Sequence, residues 1–300
     1  MRAAAILGLG CSPKNLQPFQ TDPGIEWRVG MPGAGEADAV LIFGGDGTIH
    51  RHLGQLVRLG LPVLVVPAGS GNDFASSLRL GGARASAKAW RTFCAASAAG
   101  SANVRAIDLG CISHIASAGE APSMQGPRYF CCVAGVGLDG EVSRRANQLP
   151  RWLRGNGGYV LSLLPTIFSF AAFPLEILLP ENTGDSDWTI RTNQPSLLAL
   201  FANTPFYGGG MKVAPAAKMD DGLLDVCTVG AVSPSRLLRL FPTVYSGRHL
   251  KIPEVAYFQA PRIRVETEQP MDVYADGEYV CRTPIEVSIH KAALKVITPA

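Results

Sequence analysis

The chain has 300 residues, 47% of them hydrophobic and 17% charged, with a formal net charge of +3. That balance excludes a disordered chain and allows a real core in one large domain or two ordinary ones. The charge is too small to argue for nucleic acid, but it permits attraction to phosphates or to an anionic membrane surface.

The first residues, Met1 to Gly8, hold one charge and a short apolar run, too short for a signal peptide. Ala39 to Phe43 is an apolar run that ends at two glycines and predicts a buried strand. Ile49, Leu53, Leu56 and Val57 then recur at helical spacing. Leu61 to Val66 predicts a second buried strand, and the alanine-rich stretch from Ala83 to Ala99 predicts a helix. Strand, helix, strand, helix argues for a parallel sheet covered by helices.

The composition shifts near Val104, which places a boundary between an α/β domain over 1–104 and a second domain over 105–300. Strand candidates there are Val104–Leu109, Tyr129–Ala134, Leu175–Leu179, Leu197–Ala202, Leu223–Val229, Ile263–Thr267 and Ile285–Ile289. In the last of these, Ile285, Val287 and Ile289 alternate with polar residues, as in a half-solvated antiparallel strand. Many strands between glycine and proline turns predict a β-sandwich, and whether the last strand returns to the first domain is left open. The apolar stretch Tyr159–Phe173 is interrupted by Pro165 and falls short of the about 20 residues of a membrane span, so it predicts a buried or interfacial helix. A further helix is expected over Pro234–Tyr245, and an exposed loop over Gly119–Gly126.

Seven cysteines, an odd number with no C-x-x-C spacing, and five histidines that do not cluster with them argue against a disulfide framework or a zinc site. Buried thiols in a reducing cytoplasm are the expectation.

Two loops carry candidate chemistry. Gly44-Gly45-Asp46-Gly47-Thr48 lies between a buried strand and a helix, where glycines bring backbone N–H groups close to an anion and Thr48 is placed to cap the helix. An aspartate in such a loop can hold Mg²⁺ against phosphate oxygens; a tight turn with an exposed Asp is the plainer reading. Pro67-Ala68-Gly69-Ser70-Gly71-Asn72-Asp73-Phe74 follows the next strand, at the same sheet edge, where ligands of parallel sheets bind. Asn72 and Asp73 also suit helix capping. No G-x-x-x-x-G-K-[ST] sequence is present. Gly135-Val136-Gly137-Leu138-Asp139-Gly140 matches G-x-G-x-x-G, a weak signal in the β-rich half that keeps a nicotinamide-dependent oxidoreductase only as a distant alternative.

These motifs, with Ile107-Asp108-Leu109-Gly110, Gly135–Val142, the block Asn203–Asp225 and Asp276-Gly277-Glu278, occur in an order that resembles the diacylglycerol kinase catalytic family in its bacterial lipid kinase branch, similar to sphingosine and ceramide kinases. The resemblance covers nearly the whole chain from Ala39. It implies an N-terminal α/β nucleotide-binding domain with a parallel sheet and a C-terminal all-β sandwich. It also implies phosphoryl transfer from ATP to a lipid hydroxyl, such as that of diacylglycerol, with Mg²⁺.

Carried over, Gly44, Gly45, Asp46, Gly47 and Thr48, together with Gly69, Ser70, Asn72 and Asp73, would contact ATP. Asp46, Asp73 and Asp108 would form the acidic network around magnesium. Lys218, Asp221 and Leu223 match a second, all-oxygen magnesium site. Glu278 matches the general base, beside Asp276. Read without the family, Asp276-Gly277-Glu278 is equally a hairpin turn and Asp220-Asp221-Gly222 an ordinary turn before a strand.

The stretch from Leu9 to Asn15 departs from the family pattern. The distance to Gly44 is short and holds Pro18, Pro23 and Pro32, so a helix there is lost or replaced by loop. Arg144, Arg145, Arg151 and Arg154 surround Trp152 near the apolar segment, which suits peripheral contact with a membrane surface as well as an ordinary solvated face. A homodimer is compatible with the resemblance. The alternatives are a non-catalytic lipid- or nucleotide-binding protein on the same fold, and an NAD kinase, which also uses a Gly-Gly-Asp-Gly-Thr loop.

Overall fold

A computed structural model describes residues 1–98, 103–115, 126–149, 158–181 and 187–299. Its elements run β1 (Arg2–Leu7), β2 (Glu26–Val29), β3 (Ala39–Gly44), α1 (Asp46–Leu59), β4 (Val63–Pro67), α2 (Asp73–Ser77), α3 (Ala83–Ala98) and β5 (Val104–His114). Then come β6 (Arg128–Phe130), β7 (Val133–Gly137), α4 (Leu138–Gln148), α5 (Gly158–Ser169), β8 (Phe173–Pro180) and β9 (Trp188–Ala202). The remainder is β10 (Leu224–Gly230), α6 (Pro234–Leu240), β11 (Val255–Ala260), β12 (Arg262–Thr267), β13 (Asp272–Ala275), β14 (Glu278–Arg282) and β15 (Ile285–Ile297). The chain divides into two units: Met1–Leu109 with Lys291–Ala300, and Gly110–His290.

In the first unit β1 to β4 are parallel. β1 lies between β2 and β3, β3 pairs with β4, and Val296 of β15 stands opposite Val63 of β4. Every residue of β3 is buried, as a parallel strand covered on both faces requires. α1 turns Ile49, Leu53 and Leu56 inward and stops at Gly60, whose φ of +62° is the left-handed cap that glycine takes without strain. α3 is fastened to β4 by Ser86, whose hydroxyl donates to the Val65 carbonyl at 2.9 Å.

The atypical N-terminal stretch is resolved as a 3-10 segment, Pro13–Phe19, which replaces a full crossover helix between β1 and β2. Its buried Phe19 meets the Phe43 ring edge-on at 5.2 Å, and its carbonyl accepts from the Trp90 indole N–H at 3.2 Å. The prolines shorten the crossover without opening the core.

The second unit is antiparallel and β-rich. Its strands follow the order β14, β13, β7, β9, β8, β12, β15, with β10 pairing β9 and β11. Inward residues such as Val136, Ile177, Phe201, Val226, Ile263 and Val287 share one core. Gly110 is needed beside it, since a Cβ there would stand 2.0 Å from the Phe130 ring. A smaller cluster of Leu138, Val142, Leu163 and Ile167 joins α4 to α5, with Leu237 and Phe241 packed against it.

The helix expected over Pro234–Tyr245 ends at Leu240 and continues as a 3-10 segment, Phe241–Ser246. Pro242 has no N–H to offer the preceding turn, which ends the α-helical ladder there. The expected loop Gly119–Gly126 lies, apart from Gly126, outside the described residues.

Candidate active site

The first glycine loop leaves the end of β3 and enters α1 directly. Gly45 is the N-cap and the helix starts at Asp46, so Thr48 is the third helical residue and not the cap. Thr48 is instead packed under the loop. A Cβ on Gly44 or on Gly8 would come within 2.6 Å of its hydroxyl oxygen, so both positions need glycine for Thr48 to sit there.

The second loop leaves β4 and meets the first. A Cβ on Gly69 would lie 2.5 Å from the Gly45 Cα, so the two backbones touch. Asp46 ties them together: its carboxylate accepts the backbone N–H of Asp73 at 3.0 Å and of Phe74 at 3.1 Å. These are the first amides of α2, where a carboxylate is favoured by the exposed donors and the helix dipole. Asn72 takes a left-handed φ of +55° and turns its side chain back on Gly69, accepting from its N–H at 2.9 Å and donating to its carbonyl at 2.6 Å. Gly69, Ser70 and Gly71 are exposed, and Asp73 is buried. Asp108, on β5 of the same unit, is also buried, and its carboxylate accepts the Ala292 N–H at 2.7 Å.

In the second unit Asp276 and Gly277 form the two-residue turn between β13 and β14. Both have positive φ, +50° and +84°, as the mirror-image hairpin turn demands. Asp276 is more than a turn residue. Its buried carboxylate accepts the N–H groups of Cys131 at 2.9 Å, Cys132 at 2.8 Å and Val133 at 3.2 Å, and the Cys131 thiol at 3.3 Å. The turn is thereby held to the segment entering β7. Asn147 of α4 adds a bond to the Gly277 carbonyl at 2.9 Å. Glu278 is the first residue of β14, half-buried, opposite Ala275.

Lys218 and Asp221 are exposed and Leu223 half-buried, in the turn before β10. Asp221 accepts the Leu223 N–H at 3.1 Å, and Gly222 has a φ of +74°. Behind them lies Asp225, fully buried, which sequence reasoning did not single out. One of its oxygens accepts from the Tyr257 hydroxyl and from Gln259 at 3.1 Å, while Oδ2 is buried with no hydrogen-bond partner among the described residues. Burial raises its pKa, the two hydrogen bonds oppose that, and the nearby Asp221 carboxylate raises it further. The exposed Asp221 carboxylate and the buried Asp225 carboxylate with its bare oxygen are hard oxygen donors of the kind that fits Mg²⁺.

The second unit also holds a partly open apolar cavity of about 120 Å³. Leu138 and Val142 of α4, Leu163 and Ile167 of α5, and Leu237 and Phe241 around α6 form much of its wall. Three glycines at positive φ, Gly208, Gly209 and Gly210, close the hairpin that pairs Tyr207 with Met211 and puts both on the wall. The Tyr207 hydroxyl donates to Asp139 at 3.2 Å, and burial pushes its pKa well up.

The G-x-G-x-x-G match does join a strand to a helix, β7 to α4, but β7 is antiparallel to both of its neighbours. Its glycines are explained by crowding. A Cβ on Gly135 would strike Asp139 at 2.5 Å, and one on Gly137 the Leu197 carbonyl at 2.5 Å. Arg144 and Arg145 both pair with Glu141 at 2.7 Å. Arg151, Trp152 and Arg154 lie outside the described residues. Among the described residues, no helix is long and apolar enough to cross a membrane.

Residues 24–112 match the diacylglycerol kinase catalytic domain, and residues 132–298 match the YegS C-terminal NAD kinase beta sandwich-like domain. A diacylglycerol kinase of Mycobacterium tuberculosis is 34% identical over 262 residues, covering 87% of this chain and 77% of that protein. In fold, the crystal structure of a diacylglycerol kinase from Bacillus anthracis superposes with a TM-score of 0.65 at 18% identity, over 99% of this chain and 96% of that one. An NAD kinase from Archaeoglobus fulgidus, solved in complex with ATP, follows with a TM-score of 0.54 at 13% identity, over 100% and 94%. With its first unit matched by the catalytic model and its second by the sandwich model, the chain belongs to the diacylglycerol kinase family.

Proposed function

We propose that the chain is an ATP-dependent lipid kinase that transfers the γ-phosphoryl group of ATP to the hydroxyl of diacylglycerol or a related lipid. The observation that carries this reading is the pair of glycine loops brought into backbone contact at one edge of the parallel sheet and locked by Asp46. Exposed amides of the second loop suit phosphate oxygens. The apolar cavity of the second unit suits the hydrocarbon of the acceptor.

In this mechanism Gly44, Gly45, Gly47, Thr48, Gly69, Ser70 and Asn72 bind and orient the nucleotide. Glu278 accepts the proton of the lipid hydroxyl as its oxygen attacks, and Asp276 positions Glu278 by anchoring the turn that starts β14. Asp46, Asp73 and Asp108 would supply negative charge toward one magnesium ion, and Asp221, with the carbonyls of Lys218 and Leu223, would hold a second. Bound there, Mg²⁺ offsets charge on the phosphate oxygens. What the chain contributes is placement, which dominates catalysis of this type.

The test is incubation with labelled ATP and a lipid panel, with identification of the product. Asp46→Ala removes the acceptor shared by two amides, and turnover should fall about 100-fold or more, as for lost positioning groups. Equal turnover by both proteins overturns the assignment. A phosphorylated NAD product in place of a lipid phosphate would make the chain an NAD kinase. Flotation with anionic vesicles at low salt tests peripheral membrane contact, which the apolar side chains exposed on α5, Leu164 and Phe168, support. Light scattering on the same preparation tests the homodimer.

A further inference from the structure

Among the described residues, one cluster away from the glycine loops brings three metal-ligating side chains together. Cys131, Cys132 and Asp276 each turn a ligand atom to the others, all within 4.8 Å. Cysteine spacing gives no sign of it, because the two cysteines are adjacent and the carboxylate stands 145 residues beyond Cys131. In an extended strand, neighbouring side chains point to opposite faces. Here the chain bends at Cys131 and Cys132, just before β7, and both N–H groups donate to the one carboxylate, at 2.9 and 2.8 Å. The bend leaves the two Sγ atoms 3.9 Å apart and the Cys131 Sγ 3.3 Å from Asp276 Oδ2.

These separations suit a tetrahedral zinc ion. With Zn–S near 2.3 Å and Zn–O near 2.0–2.2 Å, two sulfurs stand about 3.8 Å apart and a sulfur and an oxygen about 3.5 Å apart. Oδ1 of Asp276 accepts the Cys132 and Val133 N–H groups, so Oδ2 is the oxygen turned to the Cys131 sulfur. An ion there takes the place of the thiol hydrogens, and each thiol releases its proton as the ion binds. Two thiolates select a soft or borderline ion over Mg²⁺. Both cysteines are buried, but Asp276 is 8% exposed and Gly277 and Glu278, next in the chain, are half-buried, so the cluster lies just beneath the surface at the turn.

We propose that Cys131, Cys132 and Asp276 form an inhibitory Zn²⁺ site, with two thiolates and one carboxylate oxygen as ligands. An ion drawing on Oδ2 competes with the Cys131 N–H for that oxygen and loosens the bonds that fasten the turn ahead of β14. Glu278 starts that strand, so occupancy of the site slows phosphoryl transfer. The slowing rests on the reading of Glu278 as the general base; binding of the ion does not.

The experiment uses the reduced full chain. Co²⁺, which enters zinc sites and shows thiolate-to-metal charge-transfer absorption, is titrated in with Mg²⁺ in excess to fill hard oxygen sites. Wild type should develop the charge-transfer band, and Zn²⁺ should abolish it by displacing Co²⁺. Cys131→Ser and Cys132→Ser should each weaken Co²⁺ binding about 100-fold or more, and the double variant should show no band. In the lipid-panel assay, saturating Zn²⁺ should lower wild-type turnover about 10-fold or more, through misplacement of Glu278. The double variant should keep its basal turnover within about twofold under the same Zn²⁺, which separates this site from any effect of Zn²⁺ on ATP or on the magnesium sites.

Absence of the band in wild type overturns the inference, as does a band kept by the double variant, which assigns binding to other thiols. Unchanged turnover of metal-loaded wild type overturns the inhibitory role. If no lipid is phosphorylated under any condition, the kinase reading fails and the spectra alone decide the metal site. If the double variant does not fold, the loss of affinity in the two single variants takes its place, and unchanged affinity in both overturns the site.

Discussion

Glu141 sits in the first turn of α4 between two arginines. Its carboxylate accepts from Arg144 through both Nε and Nη2 at 2.7 Å, and from Arg145 at 2.7 Å. The Arg144 hydrogen bonds hold its pKa down to about 2 from an ordinary 4.5, against a partial burial that would raise it. A carboxyl whose pKa is depressed on folding binds protons more weakly in the folded state. Its contribution is therefore complete above pH 4.5 and is lost as pH falls toward 2. Glu141→Gln should lower Tm at neutral pH, and the difference from wild type should shrink through that window and vanish near its lower end, as read by calorimetry across pH. At the same scale, Asp225 and Asp221 predict a metal effect. If Mg²⁺ binds there, a concentration ten times Kd adds about 1.4 kcal/mol, roughly 2–4 °C in Tm. Asp221→Asn should lose most of that rise without nucleotide present, and a rise unchanged in the variant would remove the site.

Elements explain which of these features could be read in advance. β3, α1 and β4 were legible because a continuous apolar run and a 3.6-residue stripe leave little choice. The contact between the two loops was not, because the Asp46 bonds to Asp73 and Phe74 span 27 and 28 residues. Gly69→Ala tests that contact directly. A Cβ 2.5 Å from the Gly45 Cα must push the loop backbones apart, so destabilisation of about 1–3 kcal/mol and a raised KM for ATP are expected in denaturation and kinetics. The end of α6 was overrun because its apolar spacing continues past Pro242, whose missing N–H ends the helix. β15 was read only as far as Ile289, since at Ala292, inside the strand, the backbone takes a φ of +50° that breaks the alternation.

At the scale of the whole molecule, the order in which a ribosome releases the chain differs from the order in which the first unit is built. The residues up to Leu109 emerge early with β1 to β4 in hand, but the strand that pairs with β4 through Val296 is separated from them by all of Gly110–His290. Until then β4 presents an open edge of valine and leucine, which is the kind of surface that recruits stray strands. The nascent first unit must wait, edge uncovered, for the second to be synthesised, and Asp108 waits with it for the Ala292 amide that completes its bonding. Closure of the first unit's sheet is thus tied in time to completion of the second unit.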